Sequence, residues 1–196
     1  MPARERADVV RRARALLGRT IHGHGVSVRI TEVEAYGGME DPASHAFTRT
    51  PRSEIMYGPA YRLYVYRSYG IHFCANVVTG PNEIGAAVLL RAGEVLDGLD
   101  VARARRGGAK DVQLARGPGN LAQALGITLA DLDTDLLDPE AAGVRLGPEA
   151  RRRPPVAAGP RVGVSKAADV PWRFWIEGDP TVSAYRRSPR APVAEH

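Results

Sequence analysis

The stretch Val26–Tyr36, VSVRITEVEAY, alternates apolar and polar side chains along eleven residues, a period of two that an extended strand turns into two distinct faces. Such a strand needs partners. Residues 61–78 read as two strands around a turn at Ser68, Tyr69 and Gly70, and residues 84–91 as a further buried strand. Residues 161–164 and 174–176 are short strand candidates. Residues 8–17 form an amphipathic helix with Val9, Val10, Ala13, Leu16 and Leu17 on one stripe and Gly18 placed to end it. Residues 99–106 and 121–125 also read as helical. Between them, residues 37–59 lack periodicity and carry Gly, Pro, Asp and Ser, the mark of a long ordered loop of the kind that holds function. Residues 130–160 read as loop. Hairpin strands with peripheral helices indicate an α+β fold.

At 196 residues, 44% of them hydrophobic, the chain suffices for one core, so residues 1–196 are taken as a single domain, with a frayed tail at about 188–196. There is no internal repeat. Lys plus Arg exceed Asp plus Glu by 27 to 22, and all but Lys110 and Lys166 of the basic residues are arginine, whose fork suits phosphate oxygens. A pI near 9.7 is compatible with a polyanionic partner and equally with an arginine-rich protein of another kind. The single cysteine, Cys74, excludes an internal disulfide and lies in an apolar run, as a buried, inert thiol does. No apolar stretch reaches 18 residues, and charges at Arg4, Glu5, Arg6 and Asp8 occupy the place of a signal segment. These features give the expectation of a soluble, unexported protein of the cytoplasm with no membrane partner.

Alternation along 26–36 places Ile30, Glu32, Glu34 and Tyr36 on one strand face, with the two carboxylates roughly 7 Å apart. Shielded from water, like charges at that separation push at least one pKa upward, which suits a general base. A solvated face with two ordinary acids has the same spacing. In the hairpin, Tyr64 and Tyr66 share a face, and Tyr69 sits at the turn, where a ring has little of its own domain to pack against. Such a ring can wedge between base pairs and fill the gap left by an extruded nucleotide; Tyr64 reads more simply as a packed strand residue. Asn76 follows Phe73, Cys74 and Ala75, so its amide must satisfy a turn or read a base edge. Arg91 ends the run Ala86–Leu90 and needs an anionic partner, a protein carboxylate or a phosphate.

Taken in order, Glu32-Val-Glu34-Ala-Tyr36, Asp41 and His45, Leu63-Tyr64-Val65-Tyr66, Tyr69-Gly70, Phe73-Cys74-Ala75-Asn76, Leu89-Leu90-Arg91-Ala92, Arg116-Gly-Pro-Gly-Asn120-Leu121, Arg161-Val-Gly-Val164 and Pro171-Trp-Arg-Phe174 resemble the alkyladenine (3-methyladenine) DNA glycosylases of bacteria. Each motif alone is weak; the ordered set is specific and spans roughly residues 15–180. The resemblance implies a mixed domain with a curved antiparallel sheet and a protruding hairpin. It implies a monofunctional enzyme that flips alkylated or deaminated purines from double-stranded DNA and hydrolyses the N-glycosidic bond, working as a monomer, in association with the nucleoid, without cofactor or metal. Glu34 is then the general base and Arg91 its companion in holding water. Tyr36, His45 and Tyr66 become the walls of the base pocket, Asn76 a screen against guanine's amine, and Tyr69 the intercalating residue. The chain departs from the family pattern at Ala60-Tyr61, where Pro-Gly is common, at Asn120, where lysine is common, and at the polar Arg67 and Ser68 of the hairpin tip.

Three other readings share some of these residues. Pro2, exposed by loss of Met1, could serve a bifunctional lyase as a Schiff-base amine. His22, His24, His45 and His72 with Glu32 or Glu34 could hold a metal, though no third ligand stands at a motif spacing. A non-catalytic nucleic-acid-binding module would use the basic surface and the Tyr69 hairpin alone.

Overall fold

The computed structural model describes residues 3–68, 70–141 and 143–193, with side chains from residue 8 onward. Strand β2 (Val26–Tyr36) covers the eleven alternating residues and is the spine of the fold. It follows helix α1 (Ala3–Leu16) and strand β1 (Thr20–Gly23). After it come β3 (Leu63–Ser68), β4 (His72–Val78), β5 (Ala87–Asp97), α2 (Leu99–Arg106), α3 (Pro118–Leu125), β6 (Val144–Leu146), β7 (Val156–Gly159) and β8 (Arg173–Ile176). All of these strands pair antiparallel, in the order β3-β4-β5-β2-β1-β6, with β8 joining β2 to β7. The result is the α+β class expected, a curled antiparallel sheet with three helices.

The sheet curls where β2 is irregular. Ile30 pairs with Gly93, Glu32 with Ala92 and Val33 with Leu90, so Thr31 on β2 and Arg91 on β5 have no residue opposite them. Bulges of this kind bend a strand and tighten its twist. On the edge away from β5, β2 exchanges one partner for another across the irregularity: residues 26–29 pair with β1 and residues 32–34 with β8. The bulge also breaks the alternation. Val26, Val28 and Ile30 point into the main core before it, and Val33 and Ala35 after it. Ile30 therefore does not share the face of Glu32, Glu34 and Tyr36, as uniform alternation predicts.

That main core lies between one sheet face and the helices. Leu63, Val65, Ala75, Val77, Val88 and Leu90 from the sheet meet Val9, Ala13 and Leu16 of α1 and Leu121, Ala122 and Leu125 of α3. The opposite face carries a smaller cluster, in which Tyr64, Val78 and Ala87 of the sheet pack under Ala46, Met56 and Tyr57. Those last three belong to the segment 37–59, which is a loop as expected but contains three short 3-10 turns.

Several boundaries move. Helix α1 begins by Ala3 rather than at residue 8, α3 begins at Pro118 rather than 121, and β5 runs from Ala87 to Asp97 because β2 pairs with it back to Ser27. Residues 161–164 are not a strand; β7 lies just before them, and the span 130–160 that reads as loop contributes both β6 and β7 as sheet edges. Tyr61, where the family pattern has glycine, adopts a φ of 66°, a left-handed geometry that costs a non-glycine residue about 1–2 kcal/mol. Its backbone bonds to Val78 and Leu136 and its ring against the main core hold it there.

Gly38 packs the loop against the connection between β4 and β5. Its φ is +80°, and a Cβ there would stand 2.1 Å from the Ile84 carbonyl oxygen, whereas Gly25, with φ +84°, has open space around that position. Gly25→Ala is expected to cost only the left-handed strain of about 1 kcal/mol, and Gly38→Ala clearly more, because the loop must also shift. Urea midpoints at unchanged slope check this, and equal costs would show that the Ile84 contact does not constrain the loop.

Candidate active site

Because side chains alternate, the sheet face opposite the main core is set by the same strands. Tyr64 and Tyr66 of β3, Cys74 and Asn76 of β4, Ala87, Leu89 and Arg91 of β5, and Glu34 and Tyr36 of β2 all line one cavity of about 510 Å³. The loop closes it with Ala43, His45, Arg52 and Met56, and the segment after β7 with Val162, Gly163 and Val164. Six of the residues singled out from sequence, Glu34, Tyr36, His45, Tyr66, Asn76 and Arg91, thus converge on one space. Tyr69 and Pro2 lie outside the described residues.

Glu34 has no exposed surface, and each of its oxygens is anchored. Oε2 accepts the Tyr36 hydroxyl at 2.8 Å; Oε1 accepts the Val162 backbone N–H at 2.7 Å and faces Arg91 Nη1 at 3.4 Å. A carboxylate offers about four lone-pair directions, so these partners fix its orientation and leave it able to accept from a further donor in the cavity. Burial, and then the Glu34 charge, push the Tyr36 phenol well above its ordinary pKa, which keeps it a donor. Glu32, equally buried, turns away from the cavity lining. It accepts Arg91 Nε and Arg173 Nη1, both at 3.1 Å, the Ser183 N–H at 2.7 Å and the Ser183 hydroxyl at 3.0 Å. Of the two partners open to Arg91 from sequence, the structure gives it protein carboxylates. Burial opposes the Arg91 charge, but Glu34 and Glu32 outweigh it and hold the guanidinium above its usual pKa. Removing one member of such a cluster leaves a buried charge uncompensated, at a cost of about 3–5 kcal/mol.

The walls are aromatic. His45 meets the Tyr66 ring edge-on with centroids 4.6 Å apart, Tyr64 and Tyr66 are 5.6 Å apart, and His45 Nδ1 lies 3.0 Å from the Tyr64 hydroxyl. Tyr64 is thus the packed strand residue expected and also a brace for His45. Part of His45 is exposed, yet partial burial of the ring, followed by the charge of Arg52, lowers its pKa to about 4. Arg52 stacks over the Tyr66 ring at 4.9 Å. The Asn76 amide donates to the Tyr64 carbonyl at 3.1 Å across the hairpin, so it is held by the sheet with its side chain at the cavity wall. Cys74 is a buried free thiol whose pKa is raised, chiefly by burial.

A second buried ion pair carries the loop. Arg161 Nη2 donates to Asp41 Oδ1 at 2.9 Å and Nη1 to Asp41 Oδ2 and to the Ala35 carbonyl, while its guanidinium lies 4.8 Å from the Tyr36 ring centre. One residue on, Val162 donates to Glu34. Sequence reasoning quoted Asp41, Arg161 and Arg173 only as motif members, and it passed over Ser183. Their places in the ordered motifs were the available signal for the first three; Ser183 gave none. Among the described residues, no three His, Cys, Asp or Glu side chains are grouped to hold a metal ion. His22 faces Ser27 and His24 faces Asp131, so the histidine set considered from sequence is not assembled. Among the described residues, no helix is long and apolar enough to cross a membrane.

The cavity thus combines an anchored carboxylate with aromatic walls, and comparisons with known proteins give the family of the chain. Residues 3–180 match the methylpurine-DNA glycosylase family. A protein of Nocardia farcinica, provisionally named a 3-methyladenine DNA glycosylase, is 58% identical over 194 residues, covering 93% of this chain and 89% of its own length. Proteins given the same provisional name in Mycobacterium tuberculosis and Mycolicibacterium paratuberculosis are 54% and 56% identical and cover 95% of this chain. The chain belongs to the methylpurine-DNA glycosylase family, the DNA-repair hydrolases that act on alkylated bases.

The geometry around His45 generates a test. Its folded pKa lies below the unfolded value near 6.5, so the unfolded chain binds more protons in the interval between them. Its contribution to stability is therefore complete above about 6.5 and is lost as the pH falls toward 4. An NMR titration of the imidazole is expected to find a midpoint near 4; an ordinary midpoint would show the ring to be freely solvated.

Proposed function

We propose that the chain takes an alkylated or deaminated purine nucleotide out of duplex DNA into the 510 Å³ cavity and hydrolyses its N-glycosidic bond with a water oriented by Glu34. The observation that carries this reading is Glu34 itself, fully buried yet held at both oxygens at the cavity floor. The volume falls in the range of about 300–1,000 Å³ usual for small-ligand pockets. In this reading the water oxygen bonds to the sugar C1′, the electron pair of the C1′–N bond leaves with the base, and the water proton passes to Glu34. The anionic carboxylate offsets the positive charge that develops on the sugar ring.

The walls suit such a leaving group. Aromatic faces attract electron-poor or cationic rings, and His45, with its pKa lowered to about 4, is neutral near pH 7 and does not repel a cationic base. Arg52, stacked on Tyr66, shows the same preference, because a planar cation already rests on that ring. Asn76, fixed by its bond to Tyr64, is placed to screen purines by their exocyclic group.

The hairpin supplies the means of entry. Its tip carries the exposed Ile71, 73% accessible, beside Gly70 with a φ of +70°, and we assign Tyr69 to the gap left in the duplex. Arg52 and Arg67 line the cavity without a carboxylate within ion-pair distance among the described residues, which suits them to flanking phosphates. One copy of the chain carries every group this scheme uses.

Glu34→Gln is expected to lower release of free base from oligonucleotides containing methylated purines, hypoxanthine or etheno-adenine by at least about a hundredfold, with duplex affinity retained. Wild-type protein that binds these duplexes and releases no base from any of them would instead favour a non-catalytic binding module.

A further inference from the structure

The segment after β8 has no regular secondary structure, yet side-chain hydrogen bonds tie it to β2 and to Arg116, the residue two before α3. Asp179 accepts Arg29 Nη2 at 2.8 Å, Thr181 and Thr31 share a hydroxyl bond at 2.7 Å, and the Val182 carbonyl accepts Arg116 at 2.8 Å. Ser183 then reaches the charged cluster. Its N–H donates to Glu32 Oε2, its hydroxyl donates to Glu32 Oε1, and the same hydroxyl accepts Arg91 Nη2 at 3.2 Å.

These contacts give the Arg91 guanidinium one orientation. Nε is bound to Glu32 and Nη2 to Ser183, and in a planar group those two anchors aim Nη1 at Glu34, where it stands 3.4 Å from Oε1. Glu32 is in turn saturated by four donors, so its charge is committed to Arg91 and Arg173. Neither Glu32 nor Ser183 lines the cavity.

We propose that Glu32 and Ser183 form a positioning pair that aims Arg91 at Glu34, so that the strap 179–183 sets the geometry of the reacting carboxylate from outside the cavity. This rests on the role given to Glu34 above. Ser183 acts through its hydroxyl, which passes one hydrogen bond from Arg91 on to Glu32. Charge at the site is balanced by two arginines against two glutamates, and of the two glutamates Glu34 is the one that lines the cavity.

Ser183→Ala removes the hydroxyl and keeps the backbone donor; Ser183→Thr restores it. In single-turnover base release, Ser183→Ala is expected to be slower by roughly ten- to a hundredfold, the scale of a hydrogen bond to a charged group, with DNA affinity and melting temperature near wild type and with recovery in Ser183→Thr. Glu32→Gln is expected to be slower still. Wild-type rates in Ser183→Ala, or a Ser183→Thr as slow as Ser183→Ala, would overturn the proposal while base release by the wild type and its loss in Glu34→Gln left the role of Glu34 standing. A readout free of activity keeps the two apart: the Arg91 Nε–H, buried and bonded to Glu32, is expected to be protected from solvent exchange in the wild type and to lose protection in Ser183→Ala, and unchanged protection would refute the pairing even if no substrate were cleaved.

Discussion

Two carboxylates two residues apart on one strand, both without exposed surface, make a demand that the rest of the fold meets. An uncompensated buried carboxylate is far too costly to persist as an anion, so cations and donors must reach β2 from elsewhere in the chain. Arg91 comes from β5, Arg173 from β8, the Val162 N–H from the segment after β7, and Ser183 from the strap beyond β8. The bulge at Thr31 and Arg91 makes this possible. It turns β2 so that one edge meets β1 first and β8 afterwards, which brings Arg173 alongside Glu34 in register.

The division of labour between the two carboxylates follows from their partners. Glu32 takes four donors and spends its charge on Arg91 and Arg173, whereas Glu34 keeps a face toward the cavity and is held by one phenol, one amide and the far end of Arg91. The sheet supplies rigidity, since each group stands on a strand or is bonded to one. The loop 37–59 supplies the wall, and the buried Arg161–Asp41 pair fastens it to the strand that bears Glu34 through the Ala35 carbonyl. Arg161 also lies against Tyr36, so one guanidinium fixes both the loop and an aromatic ring of the cavity.

The aromatic wall is assembled by the hairpin register. Pairing of Tyr64 with Asn76 and of Tyr66 with Cys74 places all four on the cavity face, and the Tyr64 hydroxyl then fixes His45 from the loop. A one-residue slip would send these side chains into the helical core and bring Val65 and Ala75 to the cavity, which is why the apolar alternation of β3 and β4 specifies the site as well as the sheet.

Much of this was legible in the chain itself. Periodicity alone marks out β2 and α2 and locates the β3–β4 hairpin, and it places Glu34 with Tyr36 and Tyr64 with Tyr66, because side-chain direction within a regular strand is a local property. The ordered motifs from Glu32 to Phe174 carry the family. Uniform alternation misplaced Ile30, since a bulge is set by how two strands meet and leaves no mark in the period of either. Short edges such as β6 and β7 were missed for a similar reason: three or four residues hold too little pattern, and their pairing comes from the neighbour. The partners of the buried carboxylates lay furthest from reach, with Arg161 and Asp41 120 residues apart and Ser183 and Glu32 151 apart. Local pattern is enough for the long strands and for the chemistry-bearing residues that share a strand face. Which distant cations and donors neutralise those residues is settled by the folded chain alone, because burying a charge requires a partner in space and nothing in local periodicity says where along the chain that partner lies.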